Sequence, residues 1–173
     1  MKRTLTIMIA AALALTVCGG AMAADDVTGL WKGIDENTGE TTMFTYIYEY
    51  RGKVYGRLVV TYDDGVLKNY MGGPGLDVAE KWVGDPTYIG LDFIWEMEDR
   101  GDKWKKGNIC DPEEGKIYAS EMWTENGNLV VRGKIGPFGR NQIWLPVSSS
   151  ELPSGLDFGN PASWVPEIPV LKE

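Results

Sequence analysis

Histidine is absent from all 173 residues, and cysteine occurs only twice, at Cys18 and Cys110. Without an imidazole the chain has no ordinary general base near neutral pH and lacks the commonest zinc, copper or haem ligand. Ser-His-Asp and Cys-His catalysis are thereby excluded within one chain. Long apolar runs are also missing: the most apolar stretch, residues 5–17, falls short of the roughly 20 residues a membrane helix needs, so no transmembrane segment is expected. Basic residues are few, 17 Lys and Arg against 25 Asp and Glu, which argues against nucleic acid or an anionic membrane as partner.

The chain opens on a processing signal. Lys2 and Arg3 precede the apolar run, and Ala21-Met22-Ala23 has the small-x-small form of a cleavage site, so residues 1–23 read as a signal peptide. A protein released there is periplasmic or secreted. Leu15-Thr16-Val17-Cys18 supplies the competing reading, a lipoprotein anchored at Cys18, although the bulky Val17 suits a lipidation box poorly. Removal of Lys2 and Arg3 moves the net charge from −8 to −10. The remaining 150 residues suffice for one domain with its own core. Cys110 is then alone, so no internal disulfide forms, and with no basic neighbour it reads as a partly buried small apolar residue.

Beyond the leader, aromatic and β-branched runs alternate with turn clusters, and helical periodicity is nearly absent. Eight strands are predicted, over residues 27–33, 42–50, 53–62, 88–97, 103–109, 116–123, 128–135 and 140–145. Arg51-Gly52, Arg100-Gly101-Asp102, Glu113-Glu114-Gly115 and Glu125-Asn126-Gly127 are hairpin turns by composition, and loops so short rule out parallel crossovers. Hairpin-linked strands avoid bare edges by closing, which predicts an all-β, eight-stranded antiparallel up-and-down barrel over residues 24–146. Within residues 53–62, Val54, Gly56, Leu58 and Val60 are expected on one apolar face, with Gly56 and Gly133 as bends at barrel corners. Residues 63–87 read as a long loop, either a cap on the barrel mouth or a variable insertion, with room for a turn or two of helix over 77–83. Residues 147–173 form a Pro- and Ser-rich extended tail whose Leu156, Phe158 and Trp164 can dock on the barrel or on a partner.

Several motifs in order carry a family resemblance: Gly29-Leu30-Trp31, Gly52-Lys53-Val54-Tyr55-Gly56, Gly107-Asn108-Ile109 with Asp111-Pro112, Gly115-Lys116-Ile117-Tyr118, Val131-Arg132-Gly133 and Phe138-Gly139-Arg140-Asn141-Gln142-Ile143-Trp144. From about Val27 to Leu145 the chain resembles the exported bacterial domain-of-unknown-function family 2147. The resemblance implies a calycin barrel, lipocalin-like in shape, with an interior for a small apolar ligand and no assigned reaction. It also implies a structural closure in which Trp31 seals one end and a last-strand arginine packs across its ring, with Arg140 the candidate and Arg132 its rival. Many relatives carry a cysteine pair in the first long loop, and this chain has none there.

The candidate ligand-binding wall is Phe44, Tyr46, Leu58, Trp95, Tyr118 and Trp123. Phe44, Tyr46, Tyr48 and Tyr50 share one face of their strand, Met43, Thr45 and Ile47 the other, and either face can point inward. Asp35 to Glu40 and Asp63-Asp64-Gly65 read as tight turns and not as calcium loops, because the closing bidentate acid is missing. No metal and no cofactor are expected. The leading expectation is a non-enzymatic binder of a small apolar ligand. The alternatives are an interaction module with a solid barrel, meeting an envelope partner through loop 63–87 or tail 147–173, and a hydrolase using Asp92 with Glu96 or Asp111 with Glu121.

Overall fold

The computed structural model describes residues 23–173, so the leader ahead of Ala23 and the anchor candidate Cys18 lie outside the described residues. Nine strands follow in chain order: β1 (Gly29–Ile34), β2 (Thr41–Tyr50), β3 (Lys53–Asp63), β4 (Val66–Tyr70), β5 (Asp92–Asp99), β6 (Trp104–Asp111), β7 (Lys116–Glu125), β8 (Asn128–Ile135) and β9 (Phe138–Pro146). Every pairing is antiparallel, and because β3 returns to β2, eight of the strands close into a barrel. Two single-turn 3-10 helices, Ser149–Glu151 and Pro161–Ser163, are the only helical elements among the described residues. The helical turn expected over 77–83 is therefore not formed. That segment is held instead by bridges from Val78 to Thr87 and from Trp82 to Leu171.

β4 corrects the expectation of one long loop over residues 63–87. Asp64 and Gly65 both take left-handed backbone, φ 46° and 71°, and this two-residue turn folds Val66–Tyr70 back onto β3. There is room for it because β5 pairs with β3 only from Lys53 to Arg57, leaving Val60 to Asp63 free for β4. The hairpin hid in the sequence because Val66 and Leu67 are exposed, so the strand lacks an alternating apolar face.

Closure is thinnest between β1 and β9. Only Trp31 with Pro146 and Lys32 with Leu145 pair across that seam, extended by the Val147 N–H donating to the Leu30 carbonyl at 3.3 Å. The far end of the barrel is floored by tryptophans: Trp31 Nε1 donates to the Val27 carbonyl and Trp104 Nε1 to the Asp25 carbonyl, both at 2.9 Å. Residues 24–28 thus run beneath the barrel as its floor.

A bulge corrects the expected face of β3. Phe44 pairs with Val60 but Thr45 pairs with Leu58, so Val59 is an extra residue. Leu58 stays inside, whereas Val60 joins an outer cluster with Phe44, Tyr62 and Tyr70. Gly56 and Gly133 both stand inside their strands, and the ladder between β3 and β5 shifts register on either side of Gly56. Gly56 makes way for Ile47 and Ile94, whose side chains lie about 3.0 Å from where its Cβ would stand.

The tail wraps the outside. Leu156, Phe158 and Trp164 cover the aromatic face of β2, with Phe158 5.4 Å from Tyr46 and Trp164 edge-on to Tyr48 at 5.2 Å between ring centroids. All three are half-buried, so each contributes less than the roughly 1.5–3 kcal/mol of a fully buried side chain. Further on, Val83 N–H donates to the Val170 carbonyl at 2.8 Å and Lys172 N–H to the Lys81 carbonyl at 3.0 Å. Trp82, fully buried, donates to the Pro112 carbonyl at 3.0 Å, pinning residues 71–91 between the barrel rim and the tail.

Candidate functional site

Inside the barrel, above the tryptophan floor, lies a cavity of about 1020 Å³. Its depth is apolar, built by Met43, Leu58, Phe93, Ile109 and Val131 from five different strands. Gly133 opens into the same space: a Cβ there would meet nothing nearer than Ile109 Cγ2 at 3.8 Å and Tyr118 Cβ at 3.9 Å. Its missing side chain is thus part of the void. Thr61, on the cavity wall, holds a shielded hydroxyl without a partner, and the buried hydroxyls of Thr45 and Ser120 are equally unpaired. Thr61 is available to a polar atom of an occupant.

The mouth is acidic. Asp63, Asp64, Asp77, Asp111 and Glu113 line it against Lys68 and Arg140. Lys68 is committed to Asp77 at 3.2 Å, and Arg140 to Glu36 at 2.7 Å. Hydrogen bonds from Asn69 and then Lys68 hold the Asp77 carboxyl below its usual range. Asp111 Oδ1 accepts from the backbone N–H of Glu113 at 3.0 Å and of Glu114 at 2.9 Å, fixing the turn at the rim. Beside it, Cys110 faces the cavity. Burial, then the charge of Asp111, pushes its thiol up to about 12, so the thiolate is scarce at neutral pH.

A second polar cluster lies outside the barrel, under the tail. Asp92, wholly buried, accepts from Tyr48 OH at 2.9 Å, from Arg57 Nε at 2.9 Å and Nη2 at 2.7 Å, and from the Glu167 N–H at 2.8 Å. Arg57 Nη2 also donates to the Val165 carbonyl at 3.1 Å, and its guanidinium sits 4.5 Å from the Trp164 ring. Burial opposes the charge on Arg57, but the hydrogen bond and charge of Asp92 outweigh it and raise the guanidinium above its ordinary value. Burial, reinforced by Asp92, likewise drives the Tyr48 phenol far up.

Of the six expected wall residues, Leu58 and Tyr118 line the cavity and four do not. Phe44 and Tyr46 are on the outer face of β2, where the tail needs them; the inward face is Met43, Thr45 and Ile47. Trp95 is buried in the core without reaching the cavity. Trp123 is half-buried on the outside, beneath Lys103 Nζ at 3.4 Å from its ring. The expected clasp is corrected too. Trp31 does sit at the floor, but Arg140 lies at the mouth, six residues before the Pro146 that pairs with Trp31, roughly 20 Å along an extended strand. Arg132, the rival, packs over Gly139. Among the described residues the arginine that stacks on a tryptophan is Arg57, and neither Arg57 nor its partner Asp92 has a sequence neighbour that announces the pair.

The carboxylates considered for hydrolysis are engaged separately: Asp92 with Arg57, Glu96 beside Lys53 at 3.7 Å, Asp111 in its turn, and Glu121 with Lys134 at 2.7 Å. In the 35–40 turn, Asp35 Oδ1 accepts from the Asn37 and Thr38 N–H groups, which lowers its carboxyl. No three acidic or thiol ligands come together as a metal site among the described residues.

A closed eight-stranded antiparallel barrel, with a cavity opening at one end and a sealed floor, is the lipocalin architecture. A solved structure, protein HP1028 of Helicobacter pylori, described as belonging to the lipocalin family, superposes with a TM-score of 0.57 at 16% identity, over 73% of this chain and 86% of its own. No curated protein matches the chain. Residues 29–145 match the family of uncharacterised proteins conserved in bacteria, DUF2147, and the chain belongs to that family.

Proposed function

We propose that this is a non-enzymatic, exported carrier that holds a small, mainly apolar molecule inside its barrel. The observation that carries the reading is the cavity: about 1020 Å³, apolar in depth, polar at the mouth, and of the size that takes a drug-sized ligand. A barrel of eight strands can instead be filled by its own side chains, and at Gly133 this one leaves the space open. Separated, individually paired carboxylates favour binding over hydrolysis.

The test is native mass spectrometry of the protein purified from its own host, joined to titration with an environment-sensitive apolar dye. The expected result is a retained ligand or a saturable dye site that Gly133→Leu abolishes while thermal stability is kept. Absence of both, or a dye site indifferent to Gly133→Leu, would overturn the reading.

A partner-docking reading draws on one observation, the β8–β9 hairpin at the mouth, where Ile135 and Phe138 are 70% and 78% exposed. The tail favours it less, since Leu156, Phe158 and Trp164 are spent on the chain's own barrel.

A further inference from the structure

We infer that, once the leader is cut after Ala23, the ammonium so created on Ala24 pairs with Asp99 to complete the floor of the barrel. The inference rests on a coincidence between motif and fold. Ala21-Met22-Ala23 ends at the residue where docking has not begun: Ala23 is exposed. From Ala24 onward, four successive residues are tied down. Ala24 N–H donates to Asp99 Oδ1 at 3.0 Å. The Asp25 carbonyl takes Trp104 Nε1 at 2.9 Å, and its Oδ2 takes the Thr124 hydroxyl at 2.6 Å. Asp26 Oδ1 accepts from both the N–H and the hydroxyl of Thr28. Val27 is fully buried and its carbonyl takes Trp31 Nε1.

The cut is a hydrolysis by a processing peptidase. Water adds to the Ala23 carbonyl carbon, the C–N bond to Ala24 breaks, Ala23 leaves as a carboxylate, and the Ala24 nitrogen takes up both of the water's protons. Before the cut this nitrogen is an uncharged amide with a single donor. Afterwards it carries three donors and a positive charge, against a carboxylate already within hydrogen-bond distance. Asp99 also accepts the Gly101 N–H at 2.7 Å, which holds the carboxylate in place on the β5–β6 turn. A cut farther downstream would discard the Ala24 and Asp25 anchors. A cut ahead of Cys18 would leave residues 18–23 in front of the anchor, with no charge at Ala24.

The first experiment is the intact mass of the full-length gene product after export by its host. A mass for residues 24–173 is expected; an acylated chain beginning at Cys18, or any other start, overturns the inference. The second compares Asp99→Asn in the chain starting at Ala24 with the same substitution in a chain that keeps Ala23 in front. Asparagine keeps the acceptor for Gly101, so only the charge is removed. The pair being solvent-facing, Asp99→Asn should lower the melting midpoint by about 2 °C more in the Ala24 chain than in the extended one. Equal shifts would overturn the pairing. A third readout does not depend on stability: the Ala24 amine should acylate roughly threefold faster in Asp99→Asn than in the parent protein, and equal rates would again overturn it.

Discussion

Replacing Asp92 by asparagine removes one charge from a wholly buried side chain that accepts four hydrogen bonds. The amide oxygen can keep the bonds from Tyr48 OH and Arg57 Nε, but the amide nitrogen then faces two donors, Arg57 Nη2 and the Glu167 N–H. Two charge-assisted hydrogen bonds are lost, one of them from the guanidinium itself, which keeps its charge with no counter-ion. Breaking one side of a buried pair costs about 3–5 kcal/mol. Because the Arg57 side chain is 13% exposed, some water reaches it, and about 3 kcal/mol is expected. In a domain of this size that lowers the melting midpoint by roughly 6–12 °C. Urea unfolding followed by circular dichroism measures the global cost. Hydrogen exchange over residues 164–167 measures the local one, because Trp164, Val165 and Glu167 all lean on the pair. The Asp92→Leu, Arg57→Met double variant removes the stranded charge and should recover part of the loss, the remainder being the Tyr48 hydroxyl and Glu167 N–H left without an acceptor. A cost below about 1 kcal/mol together with unchanged exchange in the tail would refute the argument.

Four further outcomes are expected. Gly107→Ala would place a Cβ 2.2 Å from Met97 Sδ and 2.5 Å from the Trp95 carbonyl oxygen; since the backbone cannot step aside, it should destabilise by about 3 kcal/mol, whereas Gly133→Ala should be near neutral in the same denaturant titration. Cys110 should react with a polar thiol reagent at pH 8 far more slowly than a free cysteine, and a cavity-bound ligand should slow it again; fast labelling of the apo-protein would contradict its burial. Glu151, held down to about 2 first by Lys32 and then by the N–H and hydroxyl of Ser148, contributes stability that is present above its unfolded value and is lost as pH falls through about 2; Glu151→Gln should flatten the melting profile across that acidic window. In a series of equal chain length, an alkylammonium should bind the cavity more tightly than an alkylcarboxylate, by about tenfold at low salt and less at high salt, because the rim carries five acids against two bases; the reverse order would show that the rim does not face the ligand.

The strand count of the barrel and most of its hairpins were legible because turn residues advertise themselves locally: Arg51-Gly52 and Asn126-Gly127 are where the chain reverses. What stayed illegible was the direction in which each face points. Both faces of β2 are apolar, one for the cavity and one for the tail, so alternation alone could not rank Tyr46 against Met43. The bulge at Val59 then moves Val60 across the sheet with no composition signal. Aromatic density marked the contact with the tail instead of the ligand wall. Arg57 and Asp92 stand 35 residues apart and meet only because β3 and β5 are neighbours, which no local pattern encodes.

The two-pair seam between β1 and β9 bears on how the chain reaches this state in time. Its partners are on the order of a hundred residues apart, so the ring can shut only after β9 has left the ribosome, and closing so large a loop exacts its entropy at the end. Until then β1 has β2 along one edge and bare backbone along the other. The newborn chain is an open curved sheet with a waiting edge, and the interval before β9 arrives is when it is most exposed to pairing with another copy of itself.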